Sequence, residues 1–128
     1  MEQKMLSKSI ILAAALLTAS ALPAVAETFK WGAIALDTAV AEKEPAYGVG
    51  GGANEKEASD AAVKFCKDAG GAKCTLATTY QKCGAVAVSG AGKAGWGISE
   101  TKKSAEAQAL SGCKDDKCSI AVSDCNDE

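Results

Sequence analysis

An internal repeat of about 50 residues constrains this chain more than any other feature. Four short blocks occur twice in the same order. The matched residues are 31–36 with 83–88, 47–49 with 96–98, 58–66 with 105–113, and 74–77 with 118–121. Four matches in one order are not expected by chance. Because two copies are too few for a solenoid array, the repeat predicts one domain with a pseudo-twofold axis.

Each copy predicts the same order of elements, β-β-α-β. In the first block Ala33 and Ala35 alternate with Ile34, which is typical of a central strand covered on both faces. Second strands are predicted at residues 47–49 and 96–99, and last strands at 74–80 and 118–124. The chain is therefore predicted to be an α+β protein with two pseudo-twofold β-β-α-β repeats.

A helix follows the second strand in each copy. Asn54 and Glu57 have the spacing of a capping box for the first helix, and Thr101 takes the equivalent N-cap position in the second. Alanines then recur at helical spacing along one face. These small side chains predict that each helix lies close to its sheet.

The first 26 residues precede the repeat and predict a secretory signal peptide. Lys4 and Lys8 give a basic start, an apolar run follows, and Pro23 comes before the small-residue cleavage site at residues 24–26. The apolar run is too short to span a bilayer comfortably. We expect a periplasmic or secreted protein with no membrane span after cleavage. Residues 27–128 would then form a single domain, with repeats at about 29–80 and 83–125.

All six cysteines follow the predicted cleavage site, and an even number in a short exported chain predicts disulfides. Taken in their order along the chain, Cys66, Cys74 and Cys83 correspond to Cys113, Cys118 and Cys125, which suggests three cysteines per copy. Spacing alone cannot decide among the possible pairings. The hypothesised pairs are Cys66–Cys74, Cys113–Cys118 and Cys83–Cys125. The first two would each join a helix end to the next strand, and the third would join positions related by the pseudo-twofold.

Several motifs together resemble the bacterial secreted family called domain of unknown function 4189. They are the Trp-Gly-Ala-Ile-Ala start, the Ala-x3-Ala-Leu-x2-Cys helix, the Cys-Gly-Ala-Val-Ala centre and the Gly-Trp-Gly-Ile segment. The resemblance extends from about residue 29 to residue 125. It implies a small exported domain with a doubled β-β-α-β organisation, and it carries no catalytic residues that could be transferred.

Composition argues against several function classes. The chain has 14 Lys+Arg and 16 Asp+Glu, a net charge of −2, and all its basic residues are lysines. A nucleic-acid binder should carry a basic surface, usually with arginine for phosphate. Histidine, the commonest metal ligand and the usual general base near neutral pH, does not occur. We therefore expect no nucleic-acid partner, no metal, no cofactor and no catalytic residue.

Two short motifs match enzyme fingerprints only superficially. Residues 48–53 fit a dinucleotide-binding glycine pattern, but that fingerprint needs a βαβ unit. We interpret these glycines as a flexible linker that ends a strand and turns the chain. Ser99 and Lys102 fit the S-x-x-K motif of penicillin-binding enzymes, but the companion motifs are missing from the sequence. Thr101, between them, already has a capping role.

Carboxylates are numerous, and a pair of them could cleave a glycosidic bond if one lay in an apolar pocket. Six stand in polar runs near lysines, which predicts solvated surfaces. These six are Glu42, Glu44, Glu55, Glu57, Asp115 and Asp116. Asp124 alternates with Ile120 and Val122 and is explained by the end of a strand.

Four aromatic residues are candidates for recognition: Trp31, Tyr47, Tyr80 and Trp96. Tryptophan and tyrosine often anchor interfaces. The same rings could instead fill the core, where they would compensate for many alanines. The core is favoured because the repeat aligns Tyr47 with Trp96, and both are followed by apolar strand residues.

These features predict a non-enzymatic binding or interaction module of the bacterial envelope or extracellular space. It is expected to be a monomer whose partner is an unknown protein or envelope component. One alternative is a small envelope-acting hydrolase that uses carboxylates, and another is an inhibitor or immunity-type protein against such a hydrolase. A structural surface protein that self-associates is a further alternative.

Overall fold

The computed structural model describes residues 29–38 and 45–126. The predicted signal peptide, residues 1–26, lies outside the described residues. Within the described ranges, no helix has the length and apolar character needed to cross a membrane.

The chain forms two β-β-α-β units, which confirms the predicted α+β fold. The first unit contains β1 (Trp31–Asp37), β2 (Ala46–Gly52), α1 (Glu55–Asp68) and β3 (Thr75–Tyr80). The second contains β4 (Cys83–Val88), β5 (Ala94–Ser99), α2 (Lys102–Cys113) and β6 (Ser119–Cys125). Each unit has a three-stranded antiparallel sheet, in the orders β2-β1-β3 and β5-β4-β6.

The two sheets pack face to face with one helix outside each, so the layers run helix, sheet, sheet, helix. One face of each central strand carries small residues against its helix. The buried alanines of these two contacts are Ala33, Ala35, Ala58 and Ala62, and Ala85, Ala87, Ala105 and Ala109. The other faces meet between the sheets, where Ile34, Leu36 and Val86 form a buried cluster with Tyr80. Both faces of the central strands are therefore covered, as the alternation of their residues predicts.

The predicted helix caps are present in both units. Asn54 Oδ1 accepts a 2.9 Å hydrogen bond from the Glu57 amide, and Glu57 Oε2 accepts one of 3.0 Å from the Ala53 amide. Thr101 Oγ1 accepts a 3.2 Å hydrogen bond from the Ser104 amide. The bonds from the Glu57 and Ser104 amides satisfy groups that the first turn of a helix leaves without a partner, and the bond from the Ala53 amide fixes the chain just before α1.

The alignment of the second strands in the repeat is wrong by two residues. In the structure Trp96 pairs with Val86 of β4, and the residue that pairs with the equivalent Ile34 of β1 is Val49. Tyr47 therefore does not occupy the position of Trp96. The error has a simple cause, because an aromatic-glycine-aliphatic triplet occurs on both strands but in different registers against β1 and β4.

The glycine run is also not a linker. Gly50, Gly51 and Gly52 belong to β2, and α1 lies directly on Gly50 and Gly52. A Cβ atom on Gly50 would be 2.3 Å from the Ala62 amide nitrogen, and one on Gly48 would be 2.2 Å from the Ala62 carbonyl oxygen. These glycines permit close helix–strand contact. They are not a dinucleotide site, because β2 is antiparallel to β1.

Three disulfides join Cys66 to Cys74, Cys83 to Cys125 and Cys113 to Cys118. This is the hypothesised pairing, but the interpretation of one bond is wrong. Cys83 and Cys125 face each other on β4 and β6 within the second unit, so they are not related by the pseudo-twofold. The first unit thus contains two cysteines and the second contains four, and none of the three bonds joins the units.

Candidate functional site

Tyr80 lies at the centre of the fold and is 2% exposed. Its ring is held between Gly32 of β1 and Gly84 of β4, where Cβ atoms would lie 2.4 Å and 2.3 Å from ring carbons. The hydroxyl donates a 2.5 Å hydrogen bond to Asp124 Oδ2. Burial, followed by this bond to the carboxylate, raises the pKa of Tyr80 well above its ordinary range. Tyr80 joins the two sheets and is placed in the core.

The bond between Tyr80 and Asp124 crosses the pseudo-twofold. Tyr80 pairs with Gly32 in the first sheet, and Asp124 pairs with Gly84 in the second. The two residues therefore occupy equivalent positions and meet each other at the axis. Asp124, which the sequence explains only as a strand end, has a structural role in joining the units.

The other three aromatics lie in different environments. Trp31 is half-buried and packs against the cluster between α1 and β1. Tyr47 on β2 is 43% exposed and Trp96 on β5 is 56% exposed. The structure thus does not bring the four aromatics into one patch, and two of them contribute to the packed interior.

Trp96 and Ile98 together form the most exposed apolar feature of the second sheet, which we name the β5 stripe. Ile98 is 51% exposed. Both side chains lie on the same face as Val86, because Trp96 pairs with Val86 and Ile98 with Gly84, and paired residues share a face. The first sheet covers Val86 completely but leaves the stripe in contact with solvent. Sequence reasoning missed Ile98, although its alternation with glycine indicates that only one face of β5 carries large side chains.

The backbone amide and carbonyl groups of Trp96 and Ile98 point away from β4. At the turn between β4 and β5, the Ser89 amide donates a 2.9 Å hydrogen bond to the Lys93 carbonyl. In an antiparallel pair of strands, only every second residue exchanges backbone hydrogen bonds with the partner strand. Counted from Lys93, the residues of β5 that bond to β4 are therefore Gly95 and Gly97. The amide and carbonyl groups of the stripe therefore face the open edge of the sheet, since β5 is an edge strand.

The carboxylates of Asp37 and Asp115 have structural partners. Asp37 is 2% exposed, and its Oδ2 accepts 2.9 Å hydrogen bonds from the Ala72 and Lys73 amides, which fixes the loop after α1. Asp115 is half-buried; its Oδ1 accepts a 3.0 Å hydrogen bond from the Lys117 amide, and this bond lowers the pKa of Asp115. These arrangements position loops and do not place two acids on either side of a cleft.

Neither of the remaining candidate features forms a catalytic constellation. A shallow depression of about 320 Å³ on α1 is lined by Asp60, Val63, Lys64, Lys67 and Asp68. Its Lys64–Asp68 pair, 3.0 Å apart, is exposed to solvent. Ser99 ends β5 and Lys102 begins α2, so the S-x-x-K residues belong to a strand end and a helix start. Across residues 29–38 and 45–126, no group of three or more His, Cys, Asp or Glu could hold a metal ion.

Comparison with known proteins places this fold in a family. The family model called Domain of unknown function (DUF4189) matches residues 31–125, from the start of β1 to the end of β6. The chain belongs to the DUF4189 family. No curated protein and no solved structure matches the chain. The family match covers both units, so the doubled β-β-α-β arrangement is the DUF4189 domain itself in this chain.

Proposed function

We propose that this DUF4189 protein is an exported, non-enzymatic binding module of the bacterial envelope or extracellular space. The β5 stripe is its contact surface, and its partner is a protein or an envelope component. The three disulfides support an oxidising compartment outside the cytoplasm.

The observation that carries this proposal is the exposure of the β5 stripe. Two large apolar side chains, each more than half exposed, stand at alternate positions of one edge strand. Tryptophan is enriched among the residues that dominate binding energies. Both side chains are held on a rigid scaffold, because α2 packs directly on the opposite face of β5. Little conformational freedom would be lost on binding, which favours affinity.

The positions of the acidic residues support a binding role over hydrolysis. A carboxylate pair for glycoside cleavage needs one acid in an apolar pocket and a second across the substrate. Asp37 is buried and Asp124 is half-buried, and each is bonded to its own structural partner. The Asp37 carboxylate binds a loop, and Asp124 binds Tyr80 between the sheets.

The test is affinity capture from envelope and secreted extracts on the oxidised chain. The Trp96→Lys variant should lose the captured partner, because a charge replaces the largest exposed apolar side chain. Leu110→Lys is the matched control, since Leu110 is 41% exposed but lies on α2. Titration of the purified partner should show at least a tenfold loss of affinity for Trp96→Lys, which corresponds to about 1.4 kcal/mol. Equal binding by both variants would contradict the proposed surface.

A second measurement separates binding from catalysis. The oxidised protein is incubated with peptidoglycan and with ester and peptide reporter substrates, and we expect no turnover. Turnover that a single carboxylate-to-amide substitution abolishes would overturn the non-enzymatic proposal.

A further inference from the structure

We infer that the partner of the β5 stripe is the β5 strand of a second copy, so that two chains form a weak dimer with one continuous six-stranded sheet. This inference rests on the proposed function, because it names the partner of the same surface. It goes beyond that proposal by assigning the symmetry, the register and the paired atoms.

The open edge of β5 lacks the features that usually protect an edge strand. Such strands are commonly blocked by charges, proline or bulges, because their free amide and carbonyl groups otherwise pair with another chain. In the described structure β3 and β6 each have a register shift against their central strand, whereas β5 pairs with β4 without interruption. Residues 94–99 also carry no charge and no proline. The extended backbone of another strand is therefore the ligand that this edge can bind.

The equivalent edge strand of the first unit, β2, is less available. Phe29 lies over β2, where its ring is 2.5 Å from the Cβ position of Gly51. Val49, which takes the place of Trp96, is half-buried. Gly51, which takes the place of Ile98, has no side chain to contribute. The two units thus differ at this edge: β2 presents Tyr47, which is 43% exposed, beside the half-buried Val49, whereas both Trp96 and Ile98 of β5 are more than half exposed.

A second β5 strand can pair with this edge so that both its backbone groups and its large side chains find partners. Antiparallel pairing about Gly97 places Trp96 of each chain opposite Ile98 of the other. In this register both residues present outward backbone groups, so they form a hydrogen-bonded pair on each side of the axis. Aromatic and β-branched residues are favourable cross-strand partners.

The two residues that directly flank β5 carry opposite charges. Lys93 immediately precedes the strand and Glu100 immediately follows it, and both are exposed. Antiparallel pairing brings Lys93 of one chain to the end that carries Glu100 of the other, at both ends of the interface. The pairing is isologous, as in most closed dimers.

The predicted dimer is weak, because one strand pair and four large side chains form a small interface. In dilute solution the chain is then the monomer expected from its sequence, and the dimer forms only at high concentration. Closure by a twofold axis limits the assembly to two chains, which distinguishes it from a self-associating surface layer.

The test is analytical ultracentrifugation of oxidised residues 27–128, which contain every element of the described fold. We expect the weight-average sedimentation coefficient to rise from a monomer to a dimer value between about 1 µM and 1 mM. Trp96→Glu and Ile98→Lys should each remain monomeric throughout, whereas Leu110→Lys should behave like the unmodified chain. Circular dichroism and the absence of free thiols verify that each variant is folded.

A charge-swap variant tests the register. In the double variant Trp96→Glu with Ile98→Lys, the introduced carboxylate of each chain lies opposite the introduced ammonium of the other. The double variant should therefore regain dimerisation at low salt and lose it as salt is raised. Failure to regain it would overturn the assigned register.

The outcomes for this inference and for the proposed function can be distinguished. A chain that stays monomeric over the whole concentration range overturns the dimer. If Trp96→Lys then still abolishes binding to a captured protein, the proposed function stands with a different partner. A dimer that survives both single substitutions also overturns the inference, because its interface lies elsewhere.

Discussion

Glycine residues set the distance between each helix and its sheet. On β5, Cβ atoms at Gly95 and Gly97 would each lie 2.2 Å from a backbone atom of α2. On β2, Gly48 and Gly50 make the same approach to α1. Facing alanines complete the contact on each helix, so the small core is formed by close backbone packing more than by large side chains. This explains how a chain with few aromatic residues can build four layers.

Substitution of Gly97 by alanine tests this close packing. The added methyl group would meet the Ala105 carbonyl oxygen at 2.2 Å, so the helix must move. We expect Gly97→Ala to lower the free energy of unfolding by about 3 kcal/mol, at the upper end of the range for overpacked cores. Urea denaturation measures the change. Gly90→Ala is the control, because its Cβ position has no neighbour within 4 Å, and a similar loss in both variants would contradict the account.

Tyr80 predicts a specific loss of stability at alkaline pH. Its folded-state pKa is raised above the ordinary value of 10.0 by burial and by the bond to Asp124. The unfolded chain therefore releases the Tyr80 proton first. The stabilisation is complete below pH 10 and is lost as pH rises above it, by at most about 1.4 kcal/mol per pH unit.

Unfolding free energies measured between about pH 9 and pH 11 check this expectation. Tyr80→Phe should lack this component of the pH dependence and should also be less stable at neutral pH, because Asp124 loses its partner. Tyr47→Phe keeps Tyr80 and should retain the alkaline loss. Tyrosinate absorbance in Tyr47→Phe should appear only with unfolding, and its appearance in the folded protein would contradict the buried bond.

At the scale of elements, each disulfide stabilises one unit. Two of them join a helix end to the following strand, and Cys83–Cys125 joins β4 to β6. The sequence separations are 42 residues for Cys83–Cys125 and 5 for Cys113–Cys118. Since a longer loop restricts the unfolded chain more, the two bonds of the second unit should differ in their contribution to stability.

Serine replacement of each pair measures that difference. We expect loss of Cys83–Cys125 to lower the free energy of unfolding by about 4 kcal/mol and loss of Cys113–Cys118 by about 2 kcal/mol. Denaturation of the two double variants under identical conditions gives the comparison. The reverse order would show that native contacts, and not loop length, decide how much each bond contributes.

Elements with local signals could be predicted from the sequence, and those that depend on pairing could not. The caps at Asn54 and Thr101 follow from residues three positions apart, and the central strand follows from its alternation. The alignment of β2 with β5 depends on their registers against β1 and β4, which the shared aromatic-glycine-aliphatic triplet misrepresents. The order of the cysteines along the chain aligns Cys83 with Cys125, whereas the position of Cys83 on β4 is the one that Trp31 occupies on β1.

At the scale of the whole molecule, the two units meet without a described disulfide between them. Their joint consists of the apolar cluster between the sheets and the bond from Tyr80 to Asp124. The Asn126 side chain also donates to the Gln81 carbonyl at 2.8 Å, which fastens the segment between the units. The repeat predicts two related units, but which strand faces touch depends on the packing of both sheets at once.

The same packing decides which residues remain accessible. The presence of an aromatic residue in the sequence does not by itself indicate whether its side chain is buried. Tyr80 is buried between two glycines, whereas Trp96 extends beyond the part of the second sheet that the first sheet covers. The β5 stripe results from this offset and from the free edge of its strand. The proposed contact surface therefore depends both on the offset between the two sheets and on the position of β5 at the edge of its sheet.

Amide hydrogen exchange of β5 tests this central claim most directly. In the dilute oxidised chain, the amides of Gly95 and Gly97 should exchange slowly, because they bond to β4, and those of Trp96 and Ile98 should exchange rapidly. Addition of the captured partner, or concentration of the chain itself, should slow exchange at Trp96 and Ile98. Protection of these two amides in the dilute free chain, or no change on binding, would contradict the assignment of β5 as the contact strand.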